Sequence, residues 1–121
     1  MLSLSTIGQI RLTRGDSLDL PITINQGTTM EPVRYELDKD DELYFAVMEP
    51  NQPWEQAILK KKYTFDDKVD GDICIKLRPH DTMCLLPGLY YYQIKVRLYD
   101  YVNQEHFVNT IVPKTHFWIE E

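Results

Sequence analysis

The sequence predicts an all-β domain, an antiparallel β-sandwich of about seven short strands with one short helical crossover. Its longest alternation lies at residues 88–98, where one parity carries Tyr90, Tyr92, Ile94, Val96 and Leu98. A period of two over this length indicates a strand with one face against a core. Pro, Gly and Asp turn signals separate the other apolar runs, and none has the length and period of an amphipathic helix. The eight Tyr fit this class because tyrosine suits a pleated, half-buried surface.

The composition indicates one acidic domain. A length of 121 residues predicts a single domain over 1–121, with 1–7 as a loose lead-in. The net charge of −6 disfavours nucleic acid as a partner, because an acidic surface repels phosphates. No apolar run reaches the roughly 20 residues that span a membrane, and the N-terminus lacks the regions of a signal peptide. We therefore expect synthesis in the cytoplasm and no membrane partner.

Two alternating runs, at residues 9–14 and 17–24, are joined by Arg14-Gly15-Asp16. The pair is either a hairpin or one strand with a kink that lets it switch sheets. The tripeptide spells a cell-attachment motif, but a tight turn is sufficient reason for Gly-Asp at this point. Pro21 has no backbone donor and predicts that the second run is an edge strand.

The next segment is polar and acidic before a central strand begins. Alternation over residues 33–37 predicts a short extra strand. The acidic residues at 36–42 lack the glycine and glutamate spacing of a calcium loop, so we expect a solvated loop. Residues 42–49 are apolar on both faces, as in a central strand, and Pro50 ends the run.

Trp54 and the triplet Lys60-Lys61-Lys62 are the first candidate interaction residues. Trp54 lies in a proline-rich turn, where it either anchors a partner or folds back over the edge of the sandwich. The lysines occupy the centre of a predicted strand at 57–65. Three consecutive lysines are typical of an exposed edge strand, in which charge blocks aggregation, and a binding patch is the weaker interpretation.

A short helical turn is predicted before the long strand. Pro79 suits the first helical position, and the turn would cross from one sheet to the other. His80 and Asp81 are adjacent in sequence and face apart, so they are expected to cap the turn and not to catalyse. Cys74 and Cys84 have no metal-binding spacing and are expected to be free thiols.

Tyrosines flank and follow the long strand. Tyr91 has the opposite parity to the core-facing Tyr90 and Tyr92, so its side chain is expected on the outer surface of the sheet. Residues 99–105 predict a polar hairpin loop with Tyr99 and Tyr101 exposed. Pro113 then predicts a bulge or bend in the last strand. The three His are widely spread, so neither a metal site nor a cofactor is expected.

A helical corner before a strand that opens with tyrosine, as at 79–92, is typical of immunoglobulin-like folds, although the immunoglobulin cysteine pair is absent. The segments that carry a family resemblance are Arg14-Gly15-Asp16, Asp41-Glu42-Leu43-Tyr44-Phe45-Ala46-Val47, Lys61-Lys62-Tyr63, Gly71-Asp72-Ile73, Arg78-Pro79-His80-Asp81-Thr82, Pro87-Gly88-Leu89-Tyr90-Tyr91-Tyr92, and Thr110-Ile111-Val112-Pro113 with Phe117. Over residues 10–119 the chain resembles small prophage-encoded proteins of Gram-positive bacteria. These are similar to the immunoglobulin-like N-terminal domain of phage baseplate upper proteins.

The resemblance implies a non-enzymatic structural or interaction module of a phage tail or baseplate. Its partners would be other tail proteins or a second copy, in the host cytoplasm during assembly and then in the virion. The alternative is a carbohydrate-binding module whose exposed rings stack on sugars. An enzyme is not expected, since no nucleophile–base or paired-carboxylate spacing is present. The candidate interaction surface comprises Trp54, Lys60, Lys61, Lys62, Tyr91, Tyr99 and Tyr101.

Overall fold

A computed structural model describes the backbone of residues 2–4, 8–27, 32–35, 37–68 and 72–121, and the side chains of 8–25, 35, 37–68 and 72–121. This part of the chain is built mainly of strands. In chain order the elements are β1 (Leu2–Leu4), β2 (Ile10–Thr13), β3 (Leu18–Ile22), β4 (Ile24–Gly27), β5 (Pro32–Tyr35), β6 (Glu42–Met48), β7 (Leu59–Thr64), β8 (Ile73–Leu77), α1 (Pro79–Met83), β9 (Gly88–Asp100) and β10 (Glu105–Glu120), with 3-10 turns at Trp54–Gln56 and Phe65–Asp67.

The strands form a sandwich-like, all-β fold, which confirms the predicted class. A five-stranded sheet has the order β2-β10-β9-β6-β7, and two smaller sheets have the orders β3-β8 and β1-β4-β5. Side chains of β3, β4 and β8 join the inner face of the five-stranded sheet in one buried cluster. Burial of this cluster is the main driving force for the fold, because apolar area removed from water stabilises at roughly 25 cal/mol per Å².

β9 lies between β6 and β10, so it is the central strand that its alternation predicts. Its inner parity is buried from Tyr90 to Leu98. The Tyr92 ring lies 5.7 Å from the Phe45 ring and 6.4 Å from the Phe117 ring, centroid to centroid. Its hydroxyl donates to the carbonyl of Gly8 at 2.7 Å, which satisfies the polar end of a buried ring. Burial raises the pKa of Tyr92 to about 12.

The predicted helical corner is present before β9. α1 begins with Pro79, and the Asp81 carboxylate accepts the backbone N–H of Arg78 at 2.9 Å. The Tyr90 hydroxyl then donates to the carbonyl of Leu86, four residues upstream, at 2.7 Å. A tyrosine at the start of this strand that bonds back to the preceding corner is the tyrosine corner of immunoglobulin-like sandwiches.

The turn at Arg14-Gly15-Asp16 docks on α1. β2 pairs with β10 while β3 pairs with β8, so the chain switches sheets at this turn instead of forming a hairpin. Gly15 has a φ of 91°, a left-handed conformation that favours glycine. The Arg14 guanidinium donates to the carbonyl of Met83 at 2.9 and 3.2 Å. These contacts support the interpretation of Arg14-Gly15-Asp16 as a tight turn with a structural role.

Three features depart from the prediction. β2 runs parallel to β10, so the sandwich is not wholly antiparallel. Residues 2–4 form β1, which pairs with β4, where a loose lead-in was predicted. The predicted strand at 17–24 is divided between β3 and β4, which lie in different sheets. Alternation of apolar residues predicts which face of a strand is buried, but it does not predict which strand lies beside it or in which direction that strand runs. These pairings therefore could not be predicted from the sequence pattern.

Other expectations are met locally. β5 pairs with β4 and supplies the short extra strand. The register of β10 against β9 shifts between Thr110 and Val112 and again before Thr115, which is the bulge predicted around Pro113. Cys74 and Cys84 are not bonded to each other. The Asp-Gly turn at 70–71 lies outside the described residues.

Candidate functional site

The outer face of the five-stranded sheet, turned away from the core, carries most of the candidate residues. At one end lies a group that we call the aromatic row: Arg11, Tyr91, His116 and Trp118. The Tyr91 and His116 rings are 5.2 Å apart, and the His116 and Trp118 rings 6.0 Å apart. The Arg11 guanidinium carbon lies 5.2 Å from the Trp118 ring, close enough for a cation–π interaction. Strand pairing creates this row, because His116 lies opposite Tyr91 and Trp118 opposite Arg11.

The aromatic row is held in place by polar contacts at its margin. Arg11 forms an ion pair with Glu120 at 2.6 Å. Gln9 Nε2 lies 3.2 Å from Nδ1 of His116, within hydrogen-bond distance. Tyr91, His116 and Trp118 are each half-buried. The row is therefore ordered before any partner arrives, which lowers the entropic cost of binding.

Trp54 folds back over the middle of the outer face. Lys95 Nζ lies 4.5 Å from its ring and Lys60 Nζ 5.8 Å. The 3-10 turn that carries Trp54 contacts β6, on which the outward-facing Ala46 and Met48 are fully buried. Trp54 is half-buried, so of the two alternatives left open the structure favours the covering role over a freely projecting anchor.

The lysine triplet lies on β7, which is an edge strand as predicted. Lys62 pairs with Glu42 at 2.8 Å, and the hydrogen bonds from Lys62 and Tyr44 hold the pKa of Glu42 below its usual range. Lys61 points to the opposite face and pairs with the buried Asp81 at 2.9 Å. Since the three lysines have different partners, they do not form one basic patch.

The β9–β10 hairpin extends beyond the rest of the sheet. We call residues 98–110 the arm. β6 pairs with β9 only as far as Arg97, so among the described residues the last part of β9, Leu98 to Asp100, has only β10 as a strand neighbour. At the tip, the Asp100 carboxylate accepts hydrogen bonds from the backbone of Val102 and Asn103 and from the Asn103 amide. These bonds lower the pKa of Asp100 and order the turn.

Tyr99 lies at the base of the arm, and Tyr101 lies in the turn at its tip. Their rings are 4.8 Å apart and close to edge-on, and the His106 ring is 4.9 Å from Tyr99. The Tyr101 hydroxyl donates to Asp40, and this bond is the main reason that the pKa of Tyr101 is raised to about 12. Tyr101 is exposed as predicted, whereas Tyr99 is half-buried and belongs to β9 instead of a loop.

Part of the predicted solvated acidic loop is structural. Asp41 is only 4% exposed, which contradicts that prediction at this position. Its carboxylate accepts the Tyr35 hydroxyl, the backbone N–H of Asp38 at 2.9 Å and that of Tyr99 at 3.4 Å. Burial, and then the Asp41 bond, raise the pKa of Tyr35. Asp41 thereby joins the acidic loop to the base of the arm.

One pocket of about 310 Å³ opens between the end of β7 and the α1 corner. Its walls are mostly apolar, and Ile58 and Leu86 remain 45% and 69% exposed at its mouth. The Asp81 carboxylate lines it and is already bonded to Lys61 and to the backbone of Arg78. His80 Nε2 also lies 3.3 Å from Asp81 Oδ1, so these two side chains do not face apart as the sequence predicts. Its lining residues are Glu49, Ile58, Leu59, His80, Asp81, Cys84, Leu85, Leu86 and Tyr90.

The structure divides the sequence-predicted residues among separate places. Tyr91 and Tyr99 share the outer face of β9 but are about 27 Å apart at roughly 3.4 Å per residue. Trp54 and Lys60 lie between them. Sequence reasoning missed Arg11, His116 and Trp118. The sequence does carry a signal for two of them. Phe117 and Ile119 alternate as core residues of the last strand, so His116 and Trp118 have the opposite parity and face outward.

Within the residues whose side chains are described, no group of His, Cys, Asp and Glu is arranged to hold a metal ion. In the same part of the chain, no helix has the length and apolar character needed to cross a membrane. Neither the models of known protein families nor the curated proteins include a match to this sequence.

Proposed function

We propose that this chain is a non-enzymatic interaction module of a phage tail or baseplate, encoded by a prophage. In this proposal the chain is made in the host cytoplasm and is then carried in the virion. Its partners are other tail or baseplate proteins or a second copy, and not nucleic acid or a membrane. The fold agrees with what the resemblance implies, because a sandwich with a tyrosine corner is expected of an immunoglobulin-like domain.

The observation that carries the interaction role is the aromatic row. It brings Trp118, Tyr91 and Arg11 together on one ordered, half-buried surface. Trp, Tyr and Arg are the residue types that most often dominate protein–protein interfaces, because they bury large areas and still make polar contacts. The Glu120 carboxylate, which accepts a hydrogen bond from Arg11, and Gln9, which contacts His116, keep the row pre-organised without covering it.

Sedimentation of phage particles tests this proposal. Particles induced from the strain that encodes the chain would be purified on a density gradient, and each fraction probed for the chain. We expect the wild-type chain to sediment with tails. Trp118→Ala should release it into the free fraction, while Trp54→Ala, the same change elsewhere on the outer face, should not. A wild-type chain found only in the free fraction would overturn the proposal.

The second candidate is a carbohydrate-binding module, favoured by the partly exposed rings of Tyr91 and Trp118 on either side of His116. Sugar binding usually needs ring faces that are open and aligned. In the aromatic row adjacent ring planes are tilted by 52° and 63°, and Arg11 lies over the Trp118 ring. A glycan array separates the two functions: saturable binding of one glycan class, lost in Trp118→Ala, would favour this alternative.

A further inference from the structure

The two edges of the five-stranded sheet are protected differently. One edge is β7, whose lysines are of the kind that blocks pairing with another chain. At the other edge, β2 covers β10 only from Phe117 to Glu120. β1 also contacts β10. The fully exposed run of β10 is Glu105 to Val108, and there the described residues include no strand hydrogen-bonded to β10 on the side away from β9.

The sequence of this open edge lacks protective charge. Residues 106–112 read His-Phe-Val-Asn-Thr-Ile-Val, with no Lys, Arg, Asp, Glu or Pro. Every side chain from Glu105 to Val108 is exposed, with Phe107 at 43% and Val108 at 58%. A strand that is apolar, uncharged and rich in β-formers adheres to other strands unless its edge is covered. Such a segment is expected to be paired when the protein is in its working state.

We propose that the arm pairs with the arm of a second copy, edge to edge and antiparallel, about a two-fold axis centred on Phe107. Pairing around a two-fold axis is closed, so it produces a dimer and not a fibre. The two five-stranded sheets would then become continuous through their β10 strands. This inference does not depend on the tail assignment, since the chain could dimerise in either of the functions considered above.

A second copy suits this edge better than an unrelated strand because its charges and side chains match. Centring on Phe107 places Phe107 opposite its own copy, His106 opposite Val108, and Glu105 opposite Asn109. No two like charges then face each other, and an aromatic pair lies at the centre. The regular run from Glu105 to Thr110, before the bulges, provides about 20 Å of edge at roughly 3.4 Å per residue.

Hydrogen bonds order the arm at both ends, so pairing would not have to order it. The hydrogen bonds of Asp100 fix its tip, and Asp41 holds its base through the backbone N–H of Tyr99. An edge of this length buries less than the roughly 1,200 Å² of a standard stable complex. We therefore expect a dimer with a dissociation constant in the micromolar range.

Analytical ultracentrifugation of the full chain, from about 10 to about 500 µM, tests the proposal. The wild-type mass should rise towards twice the 14.3 kDa of the chain. Phe107→Lys and Phe107→Glu should each weaken dimerisation by more than about tenfold, because each places like charges opposite each other at the axis. An equal mixture of the two variants should restore the dimer. Val102→Lys, at the arm tip and off the edge, is the matched control and should dimerise as the wild type does.

The inference is overturned by a wild-type chain that stays monomeric at the highest concentration, by Phe107 variants that dimerise unchanged, or by a mixture that fails to recover. Growth of open-ended aggregates would also overturn it, because the proposal requires a closed pair. Near-ultraviolet circular dichroism checks that the variants are folded. Should they prove unfolded, Val108→Lys on the other face of the same strand replaces them, and its dimerisation at wild-type strength would count against the proposal.

Discussion

Thr82→Val removes the hydroxyl that ties the sheet-switching turn to α1. Thr82 is fully buried. Its Oγ1 donates to the carbonyl of Asp16 at 2.9 Å and accepts the backbone N–H of Gly15 at 2.9 Å. Valine has nearly the same volume, so the change opens no large cavity. It leaves one backbone donor and one acceptor without their partner.

The expected loss follows from those two bonds. Each partly buried bond contributes about 1 kcal/mol, so Thr82→Val should lower the free energy of unfolding by about 2 kcal/mol. With an unfolding entropy of about 2.1 cal/mol/K per residue over 121 residues, this corresponds to a fall in Tm of roughly 8 °C.

Urea denaturation measures the loss directly, with the midpoint shifted and the slope unchanged. Thr13→Val is the matched control, because Thr13 is exposed on β2 and its side chain makes no hydrogen bond to any other described residue. The control should stay within about 0.5 kcal/mol of the wild type. Equal stability of Thr82→Val and the wild type, or equal destabilisation by the two variants, would refute the structural role given to this turn.

Two further predictions concern the α1 corner. Tyr90→Phe should lower the free energy of unfolding in urea by about 1 kcal/mol, through loss of the bond to the Leu86 carbonyl, while Tyr91→Phe on the outer face should change little. The second prediction concerns the pKa of the Asp81 carboxyl, on which two effects oppose each other. Burial raises this pKa, but the Arg78 backbone N–H and Lys61 together hold it below its usual value. A lowered carboxyl pKa adds stability above the unfolded-state pKa, and this is lost as pH falls through the folded-state pKa. Lys61→Met should therefore be less stable than the wild type near neutral pH, with the difference shrinking in acid; a difference independent of pH would contradict this.

The sequence predicts the spine of the fold because the relevant signals are local. Alternation alone assigns the two faces of β9 from Tyr90 to Leu98, and the structure buries the predicted face. Pro79 likewise marks the start of α1, and the lysine triplet marks the β7 edge. Each of these features depends on residues within a few positions of one another.

The sequence does not predict features that depend on long-range register. The aromatic row requires β2 to lie parallel to β10, and Arg11 is more than a hundred positions from Trp118. The role of Asp41 depends on its reaching the backbone of Tyr99 across the base of the arm. Composition in that segment indicates a solvated acidic loop, whereas pairing buries one of its carboxylates.

We propose above that this chain acts by binding other proteins of a phage particle through its surface. The most direct test is the number of copies per particle, measured by quantitative mass spectrometry of purified particles against a tail subunit. We expect a fixed ratio that is reproduced between preparations and survives a salt wash. Variable, substoichiometric amounts that wash away would contradict it.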